Sequence, residues 1–286
     1  MSVEIRGLRI VIGGTPIIGG TPIIGGVDLS IADGERVGLI GASGSGKSMI
    51  AKSLLGLLPH EAVPSGEITM GDASVLSGED GGADGLAGNA RCAYADEHVL
   101  ADLRGRYVGT VFQNPAHALN PVMTAAQQIA LPLRMHYDLS KAERADRVAF
   151  MLDKVGLGRD VAGKYPHELS GGQQQRVGIA TALITSPRFI IADEPTTALD
   201  SITQRQIVDL LTSLVDDAGA SMLFITHDFS VLARATERCY VLDAGRIIES
   251  GATADLLAAP TTPQAQRLVA AAQTLTLHTP KEDSHE

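Results

Sequence analysis

Eight residues, Gly41-Ala42-Ser43-Gly44-Ser45-Gly46-Lys47-Ser48, constrain this 286-residue chain more than any other stretch. They read G-x-x-x-x-G-K-[ST], with the apolar run Val37 to Ile40 before them and the helix-forming stretch Met49 to Leu58 after. Strand, loop and helix in that order turn a Gly/Ser-rich turn into a phosphate loop. Glycines at Gly41, Gly44 and Gly46 let successive backbone N–H groups curve around an anion, while the following helix points its positive end at it. Lys47 is then placed to neutralise β- and γ-phosphates and Ser48 to ligate Mg²⁺, with Gly41 to Met49 as the ATP-binding set. Pro59 is expected to stop the helix.

Phe189-Ile190-Ile191-Ala192-Asp193-Glu194 is a short apolar run ending in two carboxylates, the pattern of a buried parallel strand whose C-terminal end meets a ligand. Two adjacent acids at a strand end are more often a solvated turn, but a phosphate loop in the same chain reverses that balance. Asp193 is expected to hold Mg²⁺ through water. Glu194 is expected to polarise the attacking water, because phosphoryl transfer needs an oriented nucleophile more than covalent chemistry.

Leu169-Ser170-Gly171-Gly172-Gln173 spells LSGGQ and leads into the apolar periodicity Val177, Ala180, Leu183, Ile184, which a flexible linker would lack. With these three motifs the chain resembles the ATP-binding subunits of ATP-binding-cassette (ABC) transporters, from about Val3 to Ala272. The resemblance implies an α/β fold of the P-loop NTPase cassette type: a RecA-like core, an antiparallel β-subdomain and an α-helical lobe. It implies that Gln113, in Val111-Phe112-Gln113-Asn114-Pro115, is a Mg²⁺ and water ligand that also senses a membrane partner. Asp200 would cross a dimer interface, and His227, in Ile225-Thr226-His227-Asp228, would contact the γ-phosphate. LSGGQ would face a partner subunit, with Ser170, Gly171, Gly172 and Gln173 capping ATP held by the other chain from the N-terminus of a helix running to Ile184. Two shared sites then require two ATPase chains, alike or different.

Flanking words narrow the resemblance. Asn114-Pro115 with Ala118-Leu119-Asn120-Pro121, Tyr165-Pro166-His167-Glu168 before LSGGQ, and Asp193-Glu194-Pro195-Thr196-Thr197 after it are similar to the oligopeptide, dipeptide and nickel importer branch. The tail Ala259 to Gln264 keeps only the proline of that branch's C-terminal word. The branch implies a subunit on the cytoplasmic face of the cell membrane that powers solute uptake through a permease, with an extracytoplasmic solute-binding protein upstream. Peptides are the first solute expected and nickel an alternative. The surface around Gln113 to Thr124 is where a permease would dock.

Two stretches depart from the family pattern. Members stack adenine on an aromatic residue upstream of the phosphate loop, yet the first aromatic here is Tyr94. In its place stands a hexapeptide repeat, Ile12-Gly13-Gly14-Thr15-Pro16-Ile17 recurring as Ile18-Gly19-Gly20-Thr21-Pro22-Ile23. Too short for a solenoid unit, it is expected to lengthen a hairpin. Ser77 to Asn89, rich in Gly, Asp and Ala, reads as a surface insert without recognisable ligand spacing.

A net charge of −10 argues against nucleic acid as a partner. That balance, with a single cassette and no heptad run, disfavours the rival reading of a soluble ABC-type ATPase acting on DNA or the ribosome. No apolar run is long enough for a membrane span, and the N-terminus lacks the blocks of a signal peptide. Cys92 and Cys239 stand far apart in sequence and read as reduced thiols. The expected layout is an ATPase domain over 1–250, with β-subdomain and core in 1–113 and 187–250, a helical lobe over 114–186, and an extension over 251–286. Within the lobe Ser140 and Glu143 form a capping box, and Val148, Met151, Leu152 and Val155 fall on one face.

Overall fold

The computed structural model describes residues 3–13, 20–78, 92–197 and 199–276. The strands among them are β1 (Val3–Ile12), β2 (Thr21–Ile31), β3 (Arg36–Ile40), β4 (Ala62–Met70), β5 (Ala73–Gly78) and β6 (Cys92–Tyr94). They continue with β7 (Val108–Val111), β8 (Phe189–Asp193), β9 (Ser221–Thr226), β10 (Arg238–Asp243) and β11 (Arg246–Ala252). The helices begin with α1 (Lys47–Leu54), α2 (Glu97–Leu103), α3 (Pro115–Ala118), α4 (Ala125–Ile129), α5 (Leu131–His136) and α6 (Lys141–Lys154). Then follow α7 (Gly171–Leu183), α8 (Ser201–Ala218), α9 (Phe229–Ala235), α10 (Thr253–Ala258) and α11 (Pro263–Thr276).

A six-stranded sheet, ordered β11-β10-β3-β9-β8-β7, forms the centre, parallel throughout except for the β10–β11 hairpin. Its inner strands β3, β9, β8 and β10 are buried on both faces, which is why they read as nearly continuous apolar runs rather than alternating ones. Ile40, Ile190, Ala192, Met222, Phe224 and Val241 point into one core, against α7, α8 and α9. Val37, Leu39, Phe189, Ile191, Leu223 and Ile225 point into the other, against α1 and the second sheet.

That second sheet is antiparallel, ordered β2-β1-β4-β5-β6. Val3, Ile5, Leu8 and Ile10 of β1 are all buried, although Ile5 and Leu8 fall out of the two-residue period. A register shift between them absorbs the extra residue and returns Leu8 to the core face. Tyr240 and Arg238 of β10 tie the sheets together: the Tyr240 hydroxyl accepts from the Ser30 amide at 3.2 Å, and Arg238 pairs with Glu35 at 2.7 Å.

One expectation is met and two need correcting. The repeat does lengthen a hairpin: β2 begins at Thr21, so the end of the second hexapeptide copy enters the sheet, Val11 lying opposite Pro22 and Ile12 opposite Thr21. A proline is tolerated there because β2 is an edge strand. Residues 14–17 of the first copy and 18–19 of the second lie outside the described residues. Next, α1 ends at Leu54, before Pro59 is reached. Gly56 takes φ +64, its amide bonds to the Ser53 carbonyl at 3.2 Å, and the Leu57 amide reaches back to Lys52 at 2.9 Å. That is a Schellman closure, which needs the left-handed residue glycine supplies. Finally, Ser77 and Gly78 are not insert but the end of β5, paired with Ala93 and Cys92. The remainder, 79–89, lies outside the described residues.

Between β7 and β8 the chain is helical but broken into short pieces. Thr124 with Gln127, and Ser140 with Glu143, close α4 and α6 by reciprocal capping boxes. Of the face expected there, Val148, Leu152 and Val155 are buried and Met151 is half-buried against the same core.

After β11 the chain is fastened by one carboxylate. Glu249 accepts from the Thr261 and Thr262 amides at 2.8 and 2.9 Å and from the Thr262 hydroxyl at 2.8 Å, fixing the start of α11. Burial raises the Glu249 carboxyl, but these hydrogen bonds together outweigh it and bring its pKa down to about 2. A lowered folded-state value means the link contributes fully above the ordinary 4.5 and is lost as pH falls towards about 2. Amide exchange in α11 is therefore expected to accelerate across that acid window ahead of exchange in β3 and β9, and Glu249→Gln to show fast α11 exchange already at neutral pH.

Candidate functional site

The C-terminal ends of β3, β7, β8 and β9 all point to one edge of the parallel sheet, and four predicted residues emerge there. Lys47 follows β3 in the phosphate loop, Gln113 follows β7, Glu194 follows β8 and His227 follows β9. They line one cavity of about 660 Å³, together with Ala42, Ser43, Gly44, Gly46, Ser48 and Met49. Binding at the carboxyl ends of strands is the general rule of open α/β sheets.

The loop is built to hold an anion. Gly46 has φ +108, and a Cβ there would come within 2.5 Å of the Ile24 side chain, so only glycine lets the loop close under β2. The Lys47 ammonium is 5% exposed and donates to the Gly41 and Ala42 carbonyls at 2.8 and 3.0 Å. Burial lowers its pKa, against the pull of Glu194 and Asp193. Ser45 is buried, and its hydroxyl has no hydrogen-bond partner among the described residues.

Glu194 is where the elements meet. Its amide donates to the Ile225 carbonyl at 2.9 Å, and the backbone is held at φ +47, a left-handed value few non-glycine residues adopt. One carboxylate oxygen lies 3.7 Å from the Lys47 ammonium. The other accepts from the Gln113 amide at 3.0 Å and the Thr197 hydroxyl at 3.0 Å, and lies 3.3 Å from His227 Nδ1. Beside it the Ser48 hydroxyl donates to Asp193 at 3.3 Å. Burial raises the Asp193 carboxyl and the neighbouring Glu194 charge pushes the same way, with the Ser48 hydrogen bond opposing them.

The LSGGQ residues are not in this cavity. Ser170 caps α7, its hydroxyl accepting from the Gln173 amide at 3.3 Å while the Gln173 side chain accepts from the Ser170 amide at 3.0 Å. Gly171 and Gly172 form the first turn of α7. The start of α8 packs on that turn, since a Cβ at Gly172 would meet the Thr203 methyl at 3.0 Å. Asp200 caps α8 through the Ile202 and Thr203 amides at 3.1 and 3.0 Å, and those hydrogen bonds, Thr203 first, hold its carboxyl below the usual range. Ser170, Gly171, Gly172, Gln173 and Asp200 thus share one region of the surface, away from the chain's own phosphate loop.

Sequence reasoning missed Thr197, Ile23 and Leu268, all of which line the cavity. Thr197 lay in a quoted motif, three residues after Glu194, a spacing at which a threonine hydroxyl can turn back on the carboxylate. Ile23 belongs to the hexapeptide repeat and Leu268 to α11, and no local signal links either to the phosphate loop.

The sequence profile of the ABC transporter family matches residues 24–197. A protein of Brucella abortus named as a peptide import ATP-binding protein is 42% identical over 247 residues, 85% of this chain and 70% of the relative. The oligopeptide transport ATP-binding protein OppD of Mycobacterium bovis is 40% identical over 80% of this chain but only 35% of its own length. Among solved structures, a dimeric ATP-binding cassette in a post-hydrolysis state bound to ADP and Pi superimposes with TM-score 0.72, at 31% identity over 88% of this chain and 98% of that one. CbiO1 of Clostridium perfringens, part of an ABC transporter complex, gives TM-score 0.72 at 25% identity over 97% and 95% of the two chains. Sequence profile, relatives and the phosphate-loop cavity agree, and this chain is an ATP-hydrolysing member of the ABC transporter family.

Proposed function

We propose that this chain is one of two ATPase subunits of an importer for oligopeptides or dipeptides, working through a membrane permease. The observation that carries the catalytic half of the reading is the convergence on one Glu194 carboxylate of Lys47, Gln113, Thr197 and His227, delivered by four separate elements. Phosphoryl transfer asks mainly for positioning and charge stabilisation. In this role Lys47 and the loop amides hold the β- and γ-phosphates, and Glu194 orients water and takes up its proton. Gln113 and His227 are assigned to water and γ-phosphate, and Thr197 to fixing the carboxylate. Mg²⁺ suits the oxygen donors Ser48, Asp193 and Gln113, a hard-ligand set with no thiol or imidazole in it; when bound it would offset charge on the phosphates.

Dimer formation is supported by the dimeric cassette bound to ADP and Pi and by the position of Ser170 to Gln173 outside the chain's own cavity. Peptide import is supported by the names of the Brucella and mycobacterial relatives. The permease reading rests on Phe112 and Val122, 51% and 78% exposed, on the expected docking surface beside Gln113. No helix among the described residues is long and apolar enough to cross a membrane, so attachment to the cytoplasmic face is assigned to the permease, with a solute-binding protein outside.

Three outcomes are expected. Glu194→Gln should bind ATP with wild-type affinity and lose turnover by roughly 10²-fold or more, the range for removing a positioned base; wild-type turnover in that variant would exclude the assigned role. ATPase activity of the isolated chain should rise more than linearly with protein concentration and approach linearity only as the dimer saturates. Ile23 and Leu268 offer the cavity aliphatic rather than aromatic surface, and a missing stack is worth on the order of 1 kcal/mol. Equilibrium titration should therefore find ATP and GTP binding alike within a few-fold, and a strong ATP preference would place base recognition elsewhere.

A further inference from the structure

A second groove, of about 550 Å³, lies among the helices between β7 and β8 and shares no residue with the nucleotide cavity. It runs between α4 and α5 on one side and α6 on the other. Ala126, Ala130 and Arg134 recur every four residues along α4 and α5, and the chain stays right-handed helical through Ala130 (φ −74, ψ −14), so they form one row. Ala145 and Ala149 form the facing row on α6. Methyl side chains on both walls keep the helices from filling the space between them. A concave, mostly apolar site of this size with a few polar groups at its edge has the form of a small-molecule site.

The charge around it is segregated. Arg134 lies near the end of α5, and Lys141 and Arg144 lie in the first turn of α6; only residues 137–140 separate those helices, which brings the three cations to one end of the groove. Arg144 donates to the Leu139 carbonyl. Neither Arg134 nor Lys141 has an ion-pair partner among the described residues. At the other end Arg159 is 3.9 Å from Asp153 and thus compensated. Glu143, in the same first turn of α6, offsets the helix dipole and faces Arg144 and Arg147, which leaves Arg134 and Lys141 as the cations of this end with no carboxylate in ion-pair distance among the described residues. In a chain of net charge −10, an apolar channel with unpaired cations at one mouth has a defined complement.

We propose that this groove binds a single-chain anionic amphiphile, its aliphatic chain between the alanine rows and its carboxylate or phosphate at Arg134 and Lys141. From Lys141 to Leu152 α6 runs roughly 16 Å at 1.5 Å per residue, a length suited to a fatty-acid chain. A docked protein helix, about 10 Å across, would overrun a groove of this volume.

The test is binding of tetradecanoate, below its aggregation concentration, to the full chain by calorimetry. Saturable binding of one molecule per chain is expected, weaker by roughly tenfold for Arg134→Gln/Lys141→Gln and for the neutral tetradecan-1-ol, the scale of a lost charged hydrogen bond. Ala149→Leu, which fills the channel, should abolish binding. Thermal melting with and without ATP checks that each variant is folded, and the charge variant decides the matter if Ala149→Leu is not. No saturable binding, or equal binding of the alcohol, would overturn the proposal. So would sedimentation with anionic phospholipid vesicles, dependent on Arg134 and Lys141, in the absence of tetradecanoate binding, because the cations would then read a bilayer surface.

Discussion

A buried ammonium has to be balanced, and the nucleotide site is organised around that requirement. Lys47 is turned back on the carbonyls of its own loop, with the Glu194 carboxylate 3.7 Å away and Asp193 acting on it more weakly. Desolvation of both groups is costly unless they stay paired or meet a new partner of opposite charge. A triphosphate is such a partner. In the role proposed for Glu194, binding the triphosphate would exchange one compensation for another and release the carboxylate towards water, so the contact at 3.7 Å would link the binding step to the catalytic one.

That pairing depends on the parallel sheet. Lys47 and Glu194 come from the ends of β3 and β8, with β9 between them, and the register of the three strands sets how far each loop reaches. The two cores on either side of the sheet hold those ends still. The helices carrying LSGGQ attach through α7 and α8, so the surface assigned to a partner subunit is positioned by the same sheet without sharing the cavity.

Features encoded in contiguous residues were legible in the sequence: the phosphate loop, the acidic end of β8, the capping box at Ser140 and Glu143, and the buried face of α6. Features set by distant segments were not. Ile23 and Leu268 are 245 positions apart in numbering and line the same cavity because β2 and α11 are folded onto it. The end of α1 is set by Gly56, three residues before the proline that a helix-stop rule selects, because the closure needs a left-handed residue and not a missing amide. Thr124 with Gln127 and Ser170 with Gln173 follow the same three-residue spacing as Ser140 with Glu143, so those caps are as readable as the one on α6.

The backbone of Glu194 sits at φ +47, a conformation that an L-residue with a side chain occupies at a cost of roughly 1–2 kcal/mol. The Ile225 carbonyl and the flanking strands keep it there. Glycine would hold this conformation without that strain, so in the proposed role the carboxylate of Glu194 is kept at a cost in stability. On the proposed role, thermal robustness and activity are opposed at this one residue.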